Sequence, residues 1–342
     1  MTSYFIRRLL LAVPTFLGIT LLVFTITRFV PGGPVDKIIS QARLMSQSTD
    51  TGGGSSSLET GSPLSDDQIE ELKAFYGFDK PILISYFDWL KKILVLDLGT
   101  STRYYDPVWE MIKDKLPVSI YYGSISTLLV YLICIPLGVL KAIKHKTVID
   151  NTSSVLVLIG YALPGFVVAI ILFVWPAANW NWFPLGGFVS DNFEDLAFFE
   201  QVWDVVIHSV LPMIAYMVSS FATMTFLMKN TLMDNLSSDY VRTAIAKGLS
   251  FRGAVLKHAF RNSLIPLATH FGNNISLFLA GSFLIEKVFN IDGLGLLGFE
   301  SLVERDYPVV MGVLVITTVL GLLGNIISDL CVALVDPRVK FE

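Results

Sequence analysis

The residue types that usually carry covalent chemistry are few in this chain, and their spacing excludes its common forms. The four histidines, His145, His208, His258 and His270, show no HExxH spacing for a zinc hydrolase. No GxSxG elbow presents a serine nucleophile. Cys134 and Cys331 lack metal-ligand spacing and read as small buried apolar side chains. No Gly-Lys dipeptide occurs, so there is no GxxxxGK[ST] loop to cradle a nucleotide phosphate. Gly293, Gly295 and Gly298 do form GxGxxG, but a dinucleotide fingerprint needs a strand before it and a helix after it. This one stands between two apolar stretches and reads as a turn packed at a membrane surface.

Non-covalent chemistry is better represented. His270, Asn273 and Asn274 are spaced i, i+3, i+4 inside an apolar stretch, which puts three hydrogen-bonding side chains on one helix face. Such groups face either a partner helix or a watery path, and the spacing alone leaves both open. Ser276 and Ala280 form a small-xxx-small pair beside them, and Asn325, Ser328 and Asp329 make a second polar cluster. Asp329 lies near the end of its stretch, where an interfacial contact is expected rather than a proton relay.

The elements that must position these groups are membrane helices. Apolar residues make up 53% of the 342-residue chain and charged residues 16%, too few charges to cover a soluble surface. Six apolar stretches occur, at Leu9–Thr27, Val118–Leu140, Thr152–Trp175, Ile207–Met228, Leu264–Ile285 and Val309–Val332. At about 1.5 Å per residue each reaches across a hydrocarbon core about 30 Å thick. Backbone amides in lipid must bond internally, so the stretches are expected to be helices, an all-α polytopic fold with six spans. The first stretch runs into Arg28 and PGGP without a cleavage site and is expected to remain as an anchor.

Short-loop charge orients the spans. Lys141, Lys144 and Lys146 mark one connection, and Lys229, Arg242, Lys247, Arg252, Lys257 and Arg261 mark another. The Trp175–Ile207 loop has no base and carries Asp191, Glu194, Asp195, Glu200 and Asp204. The positive-inside rule places both termini in the cytoplasm. Residues 28–117 then form an external insertion, with a flexible Gly/Ser/Thr-rich part at Ser40–Ser65. A helix capped by Ser65 and Gln68 is expected to follow, carrying Ile69, Leu72, Phe75 and Tyr76, and then a second helix at Ile82–Leu94.

The cytoplasmic loop 229–263 holds the most specific local pattern. Asp239 is expected to cap a helix Tyr240–Lys247, which Gly248 ends in the left-handed region. Val255, Leu256, Ala259 and Phe260 continue with helical periodicity toward the membrane. The pattern suits an interfacial helix on anionic lipid as well as a lever that carries motion from a soluble engine.

The string DYVRTAIAKGLSFRGAVLKHAFRNSLIP resembles the EAA loop of ABC-importer permeases, in the peptide/nickel branch. Aligned on Gly248, the family's Glu-Ala-Ala falls on Arg242, Thr243 and Ala244. Its later Ile-x-Leu-Pro falls on His258, Ala259, Phe260 and Arg261, a departure from the general pattern that the peptide branch shares. The likeness extends over nearly the whole chain through YFIRRLLLAVPT, VPGGPVD, YGFDKP, DLGTS, FPLGG, GSFLIEKVFNIDGLGLLG, RDYPVV and NIISDLCVALVDPR. The Gly/Ser-rich insertion and the closing VDPRVKFE resemble the Yej group, which admits microcin C.

The resemblance implies a type I ABC importer permease fold, a homologous second permease chain, a cytoplasmic ABC ATPase and a periplasmic peptide-binding protein. ATP and Mg would reside on the ATPase, with no cofactor on this chain, which is then no enzyme itself. It also implies that Arg242, Thr243, Ala244, Lys247, Gly248, Leu249, His258 and Arg261 meet the ATPase, and that His270, Asn273 and Asn274 line the peptide path. An ion-gradient-driven secondary transporter is the alternative, but it would require a central intramembrane carboxylate and internal repeats.

Overall fold

The computed structural model describes residues 2–29, 70, 79–279 and 281–335. Every regular element among them is helical. The expected flexible stretch Ser40–Ser65 and the helix after it fall outside the described residues. In chain order the helices are α1 (Thr2–Phe29), α2 (Ile82–Leu94), α3 (Val108–Ile143), α4 (Val148–Ala162), α5 (Gly165–Leu172), α6 (Phe198–Ser237), α7 (Asp239–Ala246), α8 (Phe251–Ala254), α9 (Phe260–Leu279), α10 (Phe283–Val288), α11 (Leu294–Val303) and α12 (Tyr307–Val335).

Four of these, α1, α3, α6 and α12, are long and apolar enough to cross a membrane. They contain four of the six expected stretches. The third stretch is not one helix. α4 stops at Ala162, Leu163 turns out to an extended conformation, and α5 restarts after Pro164 with a 96° bend. Proline removes an amide donor and disfavours helical backbone at the preceding residue, so the break falls where its sterics put it. The fifth stretch is also divided. α9 ends at Leu279, Gly281 takes φ +78°, and α10 begins at Phe283.

The described residues form two compact units. The smaller contains those within 13–114 and 298–316. There α2 has the bounds expected from sequence and turns Ser85, Tyr86 and Ile93 inward, while Leu83, Ile84 and Phe87 stay exposed. The Tyr86 hydroxyl donates to Leu17 O at 3.2 Å and lies 2.9 Å from that of the fully buried Thr20. Two of the quoted motifs meet here. Asp306 of RDYPVV accepts from Ser101 Oγ at 2.5 Å and from Thr102 N at 3.1 Å, and Ser101 belongs to DLGTS.

The larger unit takes those within 1–12, 115–297 and 317–342. Its apolar core joins Tyr122, Val130 and Cys134 of α3, Ala169 of α5, Leu211, Tyr216 and Met224 of α6, and Ile285 and Phe289 near α10. α9 and α12 touch backbone to backbone. A Cβ on Gly272 would run into the Gly324 carbonyl, and Ser276 Oγ donates to Gly272 O at 2.6 Å. Ser328 Oγ donates to Ala268 O at 2.9 Å. The small-residue seam is thus Gly272–Ser276 against Gly324–Ser328; of the expected Ser276–Ala280 pair, Ser276 lies in it and Ala280 falls outside the described residues. Asp329 pairs with Arg8, whose Nε lies 2.8 Å from Oδ2.

Candidate functional site

The helices that follow α6 are built by short-range rules. Ser238, not Asp239, is the N-cap of α7. It is extended at φ −74° and ψ 149°, and Asp239 is the first helical residue, its carboxylate at the favourable end of the dipole. Gly248 stands at φ +94°. Its amide donates to Ile245 O at 2.9 Å and that of Leu249 to Ala244 O at 3.1 Å, the paired bonds of a Schellman turn. Ser250 then caps α8, its hydroxyl accepting from Gly253 N at 3.2 Å. A π-helical turn, Val255–Ala259, carries the chain into α9 without a break.

One face of this helix-turn-helix is anchored. Val241, Ala254, Val255 and Ala259 are buried against Met228 and Leu232 of α6, Ala142 of α3 and Leu267 of α9. Leu249 is half-buried on the same cluster, and Ala244 is half-buried beside it. Arg242, Thr243, Lys247, Gly248, His258 and Arg261 are exposed, together with the apolar Ile245, Phe251 and Leu256. The contact of Arg242 Nη1 with Asp239 Oδ1 spans 4.0 Å between largely exposed groups and holds little. Arg261 Nε donates to Val335 O at 2.9 Å, fastening the start of α9 to the end of α12. Thus six of the eight residues singled out from sequence are exposed, among cationic and apolar side chains.

The polar stripe on α9 is split. Asn274 is 5% exposed and its Nδ2 donates to Tyr131 OH at 3.3 Å, while Tyr131 donates to Leu267 O at 2.9 Å. His270 and Asn273 are exposed. Asn274 therefore ties α9 to α3, and only the other two present their side chains outward.

Glu286 and Asp150 are buried carboxylates that sequence reasoning missed. Glu286 of α10 is 2% exposed. It accepts from Tyr216 OH at 3.0 Å, Ser282 N at 3.2 Å and Leu296 N at 2.6 Å. Burial raises the pKa of its carboxyl, against these three donors, which favour the anion. Gly281, Gly293 and Gly295 wrap it so closely that a Cβ on Gly293 would lie 2.7 Å from its Cδ. Gly293 and Gly295 of the GxGxxG string thus cradle a side chain of their own protein. Its signal in the sequence was a lone glutamate flanked by those glycines. The second carboxylate is Asp150, gripped by Lys229 with Nζ at 2.7 and 2.8 Å and by Lys141 at 3.2 Å. Both lysines had counted as loop charge. Lys141 lies inside α3, fully buried, and Lys229 is 9% exposed.

The model of the binding-protein-dependent transport system inner membrane component matches residues 134–341, which include α4 to α12. The chain belongs to that family. This permease is similar over the full length of both chains, at 42% identity, to the inner membrane ABC transporter permease protein YejB of Escherichia coli O157:H7. It is 39% identical to the peptidoglycan transport system permease protein YejB of Agrobacterium fabrum, covering 100% of this chain and 99% of that one. It is 31% identical to the dipeptide transport system permease protein DppB of Escherichia coli K12, with both chains covered in full. Among solved structures, a chain of the MetNI methionine ABC transporter in inward-facing conformations superimposes with a TM-score of 0.52 at 16% identity. That match covers 67% of the permease and 98% of the MetNI chain, and it shows the type I importer permease fold. A multi-pass inner-membrane permease component works with an ATPase and a substrate-binding protein and is not itself the catalyst.

Proposed function

We propose that this permease conducts peptides into the cytoplasm, driven by ATP hydrolysis on a separate subunit. The observation that carries the proposal is full-length kinship with the dipeptide permease DppB and with the oligopeptide transport system permease protein AppB of Bacillus subtilis, the latter at 35% identity. The single transmembrane domain spans residues 1–342 and crosses the membrane six times, with α4–α5 as the bent third span and α9 as the fifth. Both termini and loop 229–263 lie in the cytoplasm, and residues 28–117 form the external insertion that meets the binding protein. A homologous second permease completes the path. The exposed face at Arg242, Lys247 and His258 meets the ATPase, which holds ATP and Mg. His270 and Asn273 border the peptide, offering polar uncharged contacts to its amides.

Two measurements test this. Peptide uptake by the reconstituted importer should require ATP and stop with vanadate; uptake driven by an ion gradient alone would refute it. A cysteine at Ser237 should be unreactive to an impermeant thiol reagent in intact cells and one at Asn192 reactive; the reverse pattern would invert the topology.

A further inference from the structure

Three buried ionisable side chains have no part in the transport scheme above. Lys141 of α3, Asp150 of α4 and Lys229 of α6 are at most 9% exposed. Lys141 serves its own neighbourhood. Its ammonium donates to Asp150 O at 3.0 Å, Ser153 Oγ at 2.9 Å and Ser154 Oγ at 2.6 Å, all just across the turn between α3 and α4. Lys229 is different, because it reaches across 79 positions to hold both carboxylate oxygens of Asp150. The Lys146 amide at 3.1 Å and His145 Nδ1 at 3.3 Å complete the surroundings of that carboxylate.

A buried ion pair is a poor means of stabilising a fold, since desolvating the charges offsets most of their attraction and an apolar pair of equal volume does as well. Its value then lies in which elements it ties together. On α6, Met228 and Leu232 flank Lys229 and pack in one cluster with Val241, Ala254 and Val255 of the docking helices. A displacement of those helices must therefore move this end of α6. On the other side, Asp150 stands in the first turn of α4, an arm that ends at the 96° break before Pro164. At that break the helical hydrogen-bond ladder between α4 and α5 is interrupted, which leaves Leu163 and Pro164 as the joint between them.

We propose that Lys229 and Asp150 are positioning residues for transport, forming the polar link that, beside the apolar packing of α4 and α5 on α6, carries displacement of the docking helices from α6 into the bent span α4–α5. The link rests on the docking assignment above. Coupling needs a contiguous physical connection between elements that move, and this pair is one.

Lys229→Met is the informative variant. Asp150 keeps Lys141 and the Lys146 amide, so the carboxylate remains paired while the ionic tie between α4 and α6 is cut and their apolar packing is left. The importer should assemble at normal yield and hydrolyse ATP, and peptide uptake per assembled complex should fall tenfold or more. Lys229→Arg, which can also grip two oxygens, should recover most of it. The double variant Asp150→Asn/Lys229→Met leaves Lys141 with its oxygen acceptors and the cluster with the same net charge, and should behave as the single one. Normal uptake per complex in either variant overturns the link. So does equal loss with Lys229→Arg, which would assign the position to packing, or failure of both variants to assemble. Gly248→Leu measured in parallel separates two kinds of failure. If it uncouples hydrolysis from uptake and Lys229→Met does not, the docking assignment stands and the link falls. If Gly248→Leu transports normally, the docking assignment falls and takes the link with it.

Discussion

Gly248 and the glycines around Glu286 use the same residue type for opposite physical reasons. Gly248 ends α7 at φ +94° in open space, with nothing within 4 Å of where a Cβ would be. What it supplies is backbone freedom, and the turn it makes is exposed. Gly281, Gly293 and Gly295 are enclosed, and a Cβ on any of them would strike Glu286. What they supply is room. A turn of the first kind can be altered in angle without disturbing a core, which suits a docking element. A corner of the second kind cannot change without unseating a buried carboxylate and its three donors, which suits a fixed end of the machine.

The sharpest way to break this contrast is at Gly281. Its Cβ would meet both Glu286 Oε1 and, at 2.8 Å, Gly295 N, and its φ is +78°. Gly281→Ala should lower stability by about 3 kcal/mol, combining overpacking with left-handed strain, and be seen as lost yield and a lower melting temperature in detergent. An unchanged melting temperature would mean the corner is not rigid.

Glu286→Ala comes next, at roughly 2 kcal/mol, because it leaves the Leu296 amide without its acceptor and the Ser282 amide with only Tyr216 OH, at 3.2 Å. Glu286→Gln should recover about half of that, since it keeps one carbonyl oxygen. Equal losses in the two would indicate that the charge, rather than the acceptor, matters.

Gly248→Ala should cost only about 1 kcal/mol, all of it conformational, and Gly248→Asn less still. Here the readout that matters is uptake per ATP hydrolysed, which the bulkier Gly248→Leu should reduce at near-normal assembly. A fall in stability as large as that of Gly281→Ala would erase the distinction between the two turns.

The smallest stability effect is expected at Asn273 on α9, beside a modest one at Asn274. Asn274→Leu should cost about 1 kcal/mol through the lost Tyr131 bond. Asn273→Leu should leave stability unchanged within error and reduce peptide uptake. If Asn273→Leu instead weakens co-purification with the second permease, the exposed part of the stripe serves subunit contact and not the peptide.

What could be read along the chain is what nearby residues decide. Low charge and long apolar stretches determined the membrane class, because transfer from water to lipid depends on composition over about 20 residues. The bounds of α2 and the positive φ of Gly248 were likewise legible, since helix starts and left-handed stops depend on the few residues around them. The break at Pro164 lay in plain view but was masked by hydropathy, which scores transfer into lipid and is silent on backbone continuity. The exposed half of the polar stripe could not be told from its buried half, because i, i+4 spacing assigns a face and not a neighbour. Only tertiary packing could reveal that Lys229 closes on Asp150 or that three glycines fold around Glu286. Pairing across 79 positions depends on which helix faces meet, and no local rule contains that.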